Sequence, residues 1–311
     1  MNLQARPRRT AIDSAPLAGV ELGGTKCVCT LAYGVGAVVD QVSLPTEHPT
    51  RTLKAIRDIL VRWYDAHGLR ALGVAAFGPL DLDSRSARYG QVLATNKADW
   101  PGAEVRAVLA EPFALPVGFD TDVNGAALAE IRWGCAKGLS DFAYITVGTG
   151  VGVGPIVNGR TVRGLGHSEM GHLRIPRLPG DTAPSVCTFH DDCIEGLASG
   201  TALMARLGGR PLDQVGADDP VWEPLVHALA MLCHALVSTT APLRIAIGGG
   251  VVSGQPHLLA RIDTRLRDSL NGYSQLPASD YVVAPALGAM AGPLGSIALA
   301  LDAEASALQE A

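Results

Sequence analysis

Short apolar runs punctuated by glycine dominate the start of the chain. Residues 17–22, 26–33 and 37–44 read as three successive strands, with Gly23-Gly24 and Gly34-Val35-Gly36 turning the chain between them. Turns this short join antiparallel neighbours, so the fold opens as a meander. The apolar period then lengthens, predicting a helix capped by Thr50 and running to about His67. The apolar run 71–77, closed by Gly78-Pro79, reads as a buried strand. Another over 116–119 leads through Asp120-Thr121-Asp122 into a helix over about 123–135. The middle of the chain repeats the opening: a strand over 142–147, a glycine turn, and a second strand ending at Asn158-Gly159. This alternation predicts an α/β protein. The likeness of the two halves rests on a few glycines and strand residues, too few to establish an internal duplication.

Composition narrows the class. A chain of 311 residues, 48% hydrophobic and 18% charged, can bury a sizeable core and is long enough for two domains. A net charge of −5 argues against a nucleic-acid surface, which needs clustered positive charge. No apolar run approaches the ~18 residues of a membrane span. The six cysteines do not form a disulfide framework: Cys27 and Cys29 share one side of a strand, Cys135 and Cys233 fall in predicted helices, and Cys187 and Cys193 flank a histidine. A reducing, cytoplasmic setting is expected. Residues 1–16 contain Arg6, Arg8 and Arg9 but no apolar core of a signal peptide, and read as a disordered tail.

Two groups of residues carry chemistry. Cys187-x2-His190-x2-Cys193 places three metal-ligand side chains in seven residues, and His172 would be a fourth. Such a closed set of thiolates and imidazoles suits structural Zn²⁺ and leaves no position for an activated water. The alternative is a loop of ordinary satisfied side chains. The second group is three glycine clusters, each ending an apolar run: Gly23-Gly24-Thr25-Lys26, Gly148-Thr149-Gly150 and Gly248-Gly249-Gly250. Glycine lets backbone N–H groups approach an anion closely. None of the three has Walker or dinucleotide spacing, so each alone is compatible with an ordinary turn.

Taken together, these motifs resemble the ROK family of sugar kinases, within the actin-like ATPases, and its bacterial fructokinases in particular. The residues that carry the resemblance are Glu21-x-Gly23-Gly24-Thr25-Lys26, Asp122-Val123-Asn124-Gly125-Ala126-Ala127, Gly148-Thr149-Gly150-Val151-Gly152, Glu169-x-Gly171-His172, the 187–195 stretch and Gly248-Gly249-Gly250, in the family's order over about 17–302. Glu21 stands where many members have aspartate, and His190 where many have a third cysteine; both departures resemble the fructokinase branch. The resemblance implies two ribonuclease-H-like domains around a cleft. The first would cover 17–121 and recover a final helix over 288–302, and the second would cover 122–287. The Pro- and Gly-rich stretches 176–184 and 208–220 would be loops of the second domain.

It also implies roles. Asp122, at the junction of a strand and a helix, is the candidate base that takes a sugar hydroxyl proton; by itself it would also serve as an ordinary N-cap. Glu169, Glu195 and His172 would hold sugar hydroxyls, with His172 binding zinc through its other ring nitrogen, and Gly78 and Asn96 would complete the pocket. ATP phosphates would lie at Gly23, Gly24, Thr25, Lys26, Gly148, Thr149 and Gly150, adenosine at Gly248, Gly249 and Gly250, and Mg²⁺ would accompany ATP, reached by Glu21 through waters. Lys97 reads as a solvated loop lysine, Asn124 as a first-turn polar residue, and Arg163 and Arg174 as surface arginines. The expected activity is that of an ATP-dependent hexose kinase, a fructokinase, acting as a homodimer without nucleic-acid or membrane partners. A glucokinase or mannokinase, or a noncatalytic sugar-sensing regulator, is the alternative. The regulator is disfavoured because only about 16 residues precede the first strand.

Overall fold

The computed structural model describes residues 15–310, so the expected N-terminal tail lies almost wholly outside the described residues. The chain forms two compact units: the described residues up to Gly125 with those from Gly292 onward, and Ala126–Ala291.

In chain order the first unit comprises β1 (Leu17–Leu22), β2 (Lys26–Ala32), β3 (Val38–Pro45), α1 (Pro49–His67), β4 (Leu72–Ala76), α2 (Val105–Ala110), β5 (Val117–Thr121) and the start of α3 (Asp122–Trp133). The rest of α3 begins the second unit. There follow β6 (Phe142–Val147), β7 (Val151–Val157), β8 (Arg160–Thr161), α4 (Ile194–Ala198), α5 (Gly200–Leu207), α6 (Trp222–Thr239), β9 (Ile245–Gly248), α7 (Gly250–Ser253), α8 (His257–Leu270) and β10 (Val282–Val283). Helix α9 (Ala291–Glu310) returns the chain to the first unit.

Both sheets have five strands, and their connectivity is the same. The orders are β3-β2-β1-β4-β5 and β8-β7-β6-β9-β10. In each, three antiparallel strands are followed by two that run parallel to the first. The expected α/β fold with two ribonuclease-H-like domains is present, and the likeness of the two halves, too faint to argue from sequence, is plain in the strand order.

Each sheet is covered on both faces, which is why its central strands are apolar throughout rather than alternating with polar residues. In β6, Ala143, Ile145 and Val147 join the core built with α4, α6 and α8, while Phe142 and Tyr144 face Ala126 and Ala127 of α3. In the first unit, Leu53, Ile56, Leu60 and Trp63 of α1 pack on Val20, Leu22, Leu72 and Val74. The opposite face carries a different device. Gly19, Gly73 and Gly118 are in register across β1, β4 and β5. A β-carbon on any of them would overlap Ser296 or Leu299 of α9, and one at Gly73 would also lie 2.6 Å from the Ala300 nitrogen. Helix backbone thus lies where side chains at Gly73 and Gly118 would stand, and the Ser296 side chain fills the place of one at Gly19.

Local expectations differ in detail. Helix α1 starts at Pro49, whose missing N–H costs nothing at N1; Thr50 is not the cap, and His48 precedes the helix with no side-chain cap. Helix α3 stops at Trp133, so Cys135 lies in the following turn, where its N–H donates to Glu130 Oε2 (2.7 Å). The final helix runs to Glu310, and residues 288–290 before it form a 3-10 turn. No helix among the described residues is long and apolar enough to cross a membrane.

Gly73→Ala should cost about 3 kcal/mol, because a rigid backbone contact cannot yield to an added methyl. Gly24→Ala, with open space around it, should leave thermal stability unchanged. Melting curves of the two variants check this contrast.

Candidate active site and metal centre

Strands β1, β4 and β5 are parallel, so their C-terminal ends emerge at one edge of the sheet, where α/β folds place ligands. That edge carries Glu21, the Gly23-Gly24-Thr25 turn, Gly78 and Asp122. Asp122 is only partly buried by its neighbours, yet desolvation pushes its carboxyl up to about 6, against a 2.9 Å hydrogen bond from Val123 N–H. Desolvation raises Glu21 further, to about 7, with the charge of Asp122 adding to the rise and Lys26 opposing it. Capping of α3 falls to Thr121, whose hydroxyl accepts Asn124 N–H at 3.2 Å. Asp120 is buried and takes Thr121 N–H and Asn124 Nδ2 on one oxygen, each at 2.7 Å. Asp122 is therefore not needed as the cap, and Asn124 is a buried support of this turn rather than a ligand contact.

Asn96 lies on the loop after β4. Its neighbour Lys97 differs from the expected solvated lysine: Nζ donates to the Gly24 carbonyl at 2.6 Å, crossing from that loop to the first glycine turn.

In the second unit the β6–β7 turn holds Gly148, Thr149 and Gly150. Glu195, in the first turn of α4, accepts Val151 N–H on Oε2 (3.0 Å) and presents Oε1 to His172 Nε2 (3.7 Å). Gly150 lets the Glu195 carboxylate approach the loop, since a β-carbon there would overlap Glu195 Oε2 unless that side chain moved. Glu169 is more exposed and lies with Oε1 3.4 Å from His167 Nδ1. Gly249 has φ +89° and passes so close to β6 that a β-carbon would lie 2.5 Å from Val147 backbone atoms. Packing against β6 thus accounts for that glycine without any ligand.

His172, Cys187, His190 and Cys193 converge, with one ligand atom from each lying within 4.8 Å of all the others. Cys187 Sγ is 3.7 Å from His172 Nδ1 and 3.8 Å from His190 Nδ1, and Cys193 Sγ is 3.9 Å from His172 Nδ1. Tetrahedral zinc with bonds of about 2.0–2.3 Å spaces its ligand atoms by roughly 3.3–3.8 Å, so this donor set fits the ion. Because Nδ1 of His172 faces the sulfurs, Nε2 is left for Glu195 and whatever Glu195 binds. Arg174 also departs from a lone surface arginine: it grips Asp192 by two hydrogen bonds (2.6 and 2.9 Å) and braces the cysteine-bearing loop.

Comparison with known proteins places the chain in a family. The ROK family profile matches residues 17–303. A fructokinase of Pediococcus pentosaceus is 38% identical over 285 residues, covering 91% of this chain and 97% of that protein. The structure of a ROK hexokinase from Thermus thermophilus superposes with a TM-score of 0.75 at 29% identity, over 95% of this chain and 100% of that one. A ROK family glucokinase from Streptomyces griseus, solved in complex with glucose and AMPPNP, gives 0.74 at 26% identity, over 92% and 99%. With its two matched sheets and a family match spanning almost its whole length, the chain belongs to the ROK family.

Proposed function

We propose that this chain is an ATP-dependent hexose kinase that phosphorylates the 6-hydroxyl of D-fructose, giving D-fructose 6-phosphate and ADP. The observation that carries this reading is Asp122, a carboxylate at a strand end beside a glycine loop, released from capping by Thr121 and raised to about 6 by desolvation. Such a group is ionised at neutral pH yet basic enough to accept a hydroxyl proton. As the sugar oxygen bonds to the γ-phosphorus and the bond to ADP breaks, the proton passes to an Asp122 oxygen. Gly23, Gly24, Thr25 and Lys26, and Gly148, Thr149 and Gly150, offer backbone N–H groups to the phosphates, and Gly248 to Gly250 the surface for adenosine. Glu195, Glu169 and His172 hold hydroxyls of the sugar, and Gly78 and Asn96 are further sugar-binding residues. Mg²⁺ would neutralise phosphate charge; Glu21 and Asp122, two neighbouring oxygen donors, fit its hydrated shell, with Glu21 acting through waters. Zn²⁺, held by His172, Cys187, His190 and Cys193, would supply a fixed brace that sets the His172 tautomer. The fructose assignment is supported by the named fructokinase relative and by Glu21 and His190. The six free cysteines fit a reducing, cytoplasmic setting.

The kcat/KM for fructose should exceed those for glucose and mannose in a coupled assay of ADP release. A glucose value equal to or above that for fructose would overturn the sugar assignment and leave the kinase standing.

Asp122→Asn should lower single-turnover phosphorylation by about 10²-fold or more, since the amide keeps the shape and loses the base. In the unsubstituted enzyme, kcat/KM should fall as pH drops through about 6, where Asp122 becomes protonated. The same raised pKa favours the protonated carboxyl in the folded state. Its contribution to stability is full below the ordinary carboxylate range and is lost as pH rises through about 6. Asp122→Asn should therefore melt no lower than the unsubstituted protein at pH 8, which separates a lost base from a damaged fold.

Metal analysis of purified protein should find one zinc per chain. Cys193→Ala should release it and weaken sugar binding, because Cys193 and His172 belong to the same ligand set. A zinc-free, fully active protein would show the ligand set to be wrong.

A further inference from the structure

The two glycine loops share a feature that no local motif contains: within each, all three carbonyl oxygens are already taken. In the first unit the Thr46 hydroxyl donates to Gly23 O (2.7 Å), Lys97 Nζ to Gly24 O (2.6 Å) and Thr46 N–H to Thr25 O (2.9 Å). In the second unit Gly200 N–H donates to Gly148 O (2.7 Å), the Thr201 hydroxyl to Thr149 O (2.8 Å), and Gly148 N–H to Gly150 O (2.9 Å). A trans peptide points its C=O and the next residue's N–H in opposite directions. Holding the Gly23 and Gly24 carbonyls therefore turns the N–H groups of Gly24 and Thr25 the other way, and holding those of Gly148 and Thr149 does the same for Thr149 and Gly150. Among the described residues these four N–H groups donate to no protein acceptor.

We propose that Thr46, Lys97 and Thr201 are positioning residues that hold both loops with their carbonyls drawn back and their N–H groups presented, so that nucleotide phosphates meet preorganised donors. If the loops bind phosphate, as the kinase reading holds, the benefit follows from elementary electrostatics. A glycine-rich turn samples many conformations, and a peptide flipped by half a turn would aim a carbonyl dipole at the phosphate instead of an N–H. Fixing the peptide planes beforehand removes both the ordering cost and that repulsion. The two units reach this state by different means, a β3-end threonine and a loop lysine in one, the first turn of α5 in the other. Both put a threonine hydroxyl on a carbonyl of the loop.

The test is calorimetric affinity for the magnesium complex of AMPPNP, which requires no turnover, with adenosine as the phosphate-free control. Thr46→Val and Thr201→Val keep side-chain shape and lose the hydroxyl, and Lys97→Met alters an exposed side chain without threatening the fold. Each should weaken AMPPNP by about fivefold or more while leaving adenosine affinity and melting temperature unchanged. Thr46→Ser and Thr201→Ser should restore AMPPNP binding to within about twofold of the unsubstituted protein, since the donor returns. Unchanged AMPPNP affinity in the valine and methionine variants would overturn the proposal, and so would a parallel loss of adenosine affinity, which would mark a general structural role. Unsubstituted protein that bound AMPPNP but phosphorylated no hexose would count against the kinase reading alone.

Discussion

Helix α9 lies so close to strands β1, β4 and β5 that its atoms occupy the space of three missing side chains. Gly19, Gly73 and Gly118 make this approach possible because they are in register on adjacent strands, forming a side-chain-free row across the sheet. The same three strands carry Glu21, Gly78 and Asp122 at their C-terminal ends. The helix holds in line the strands on which the spacing of Glu21 and Asp122 depends, and its first turn reaches the end of β1, where a β-carbon on Gly292 would overlap Glu21 Oε1. The chemistry at the sheet edge therefore rests on a contact made at the centre of the sheet, where nothing reacts.

That spacing puts the site under tension. Two carboxylates are partly withdrawn from water, and Glu21 feels the charge of Asp122. Neither is fully compensated by the protein, since only Lys26 opposes the rise at Glu21 and only the backbone N–H groups of Val123 and Asp122 itself support the Asp122 carboxylate. Buried, poorly paired carboxylates are a cost to the fold and an asset to a base that must take a proton near neutral pH. The supporting groups are arranged accordingly: Thr121 and Asp120 satisfy the turn around Asp122, so its carboxylate is not needed as the cap.

The second unit solves a different problem with the same sheet. Its glycine turn is tied to Glu195 through Val151 N–H, Glu195 faces His172, and His172 faces two cysteines. A side chain that would otherwise rotate freely is thus restrained at both ring nitrogens. The cysteine-histidine cluster, Glu195 and the second glycine loop form one continuous set of contacts within the unit.

Much of this was legible in the amino-acid sequence because it is local. Strand periodicity, glycine turns, the Cys-x2-His-x2-Cys spacing and the junction of strand and helix at Asp122 all lie within a few residues of themselves, and the order of these motifs identifies the family. The likeness of the two halves was not legible, because it resides in strand order, which two sequences can share without sharing residues. Nor was the reason for each glycine: Gly73, Gly150 and Gly249 read alike along the chain, yet one admits a helix, one a glutamate and one a neighbouring strand. Lys97 read as a solvated lysine because its partner, the Gly24 carbonyl, lies 73 residues away. Hydrogen bonds of that span have no periodicity and no motif; they exist only once the strands and loops between them have been placed. The sequence by itself determined which chemical groups are present and on which elements they ride, whereas tertiary structure alone decided which carbonyls are held back, which carboxylates lose water, and which side chains meet.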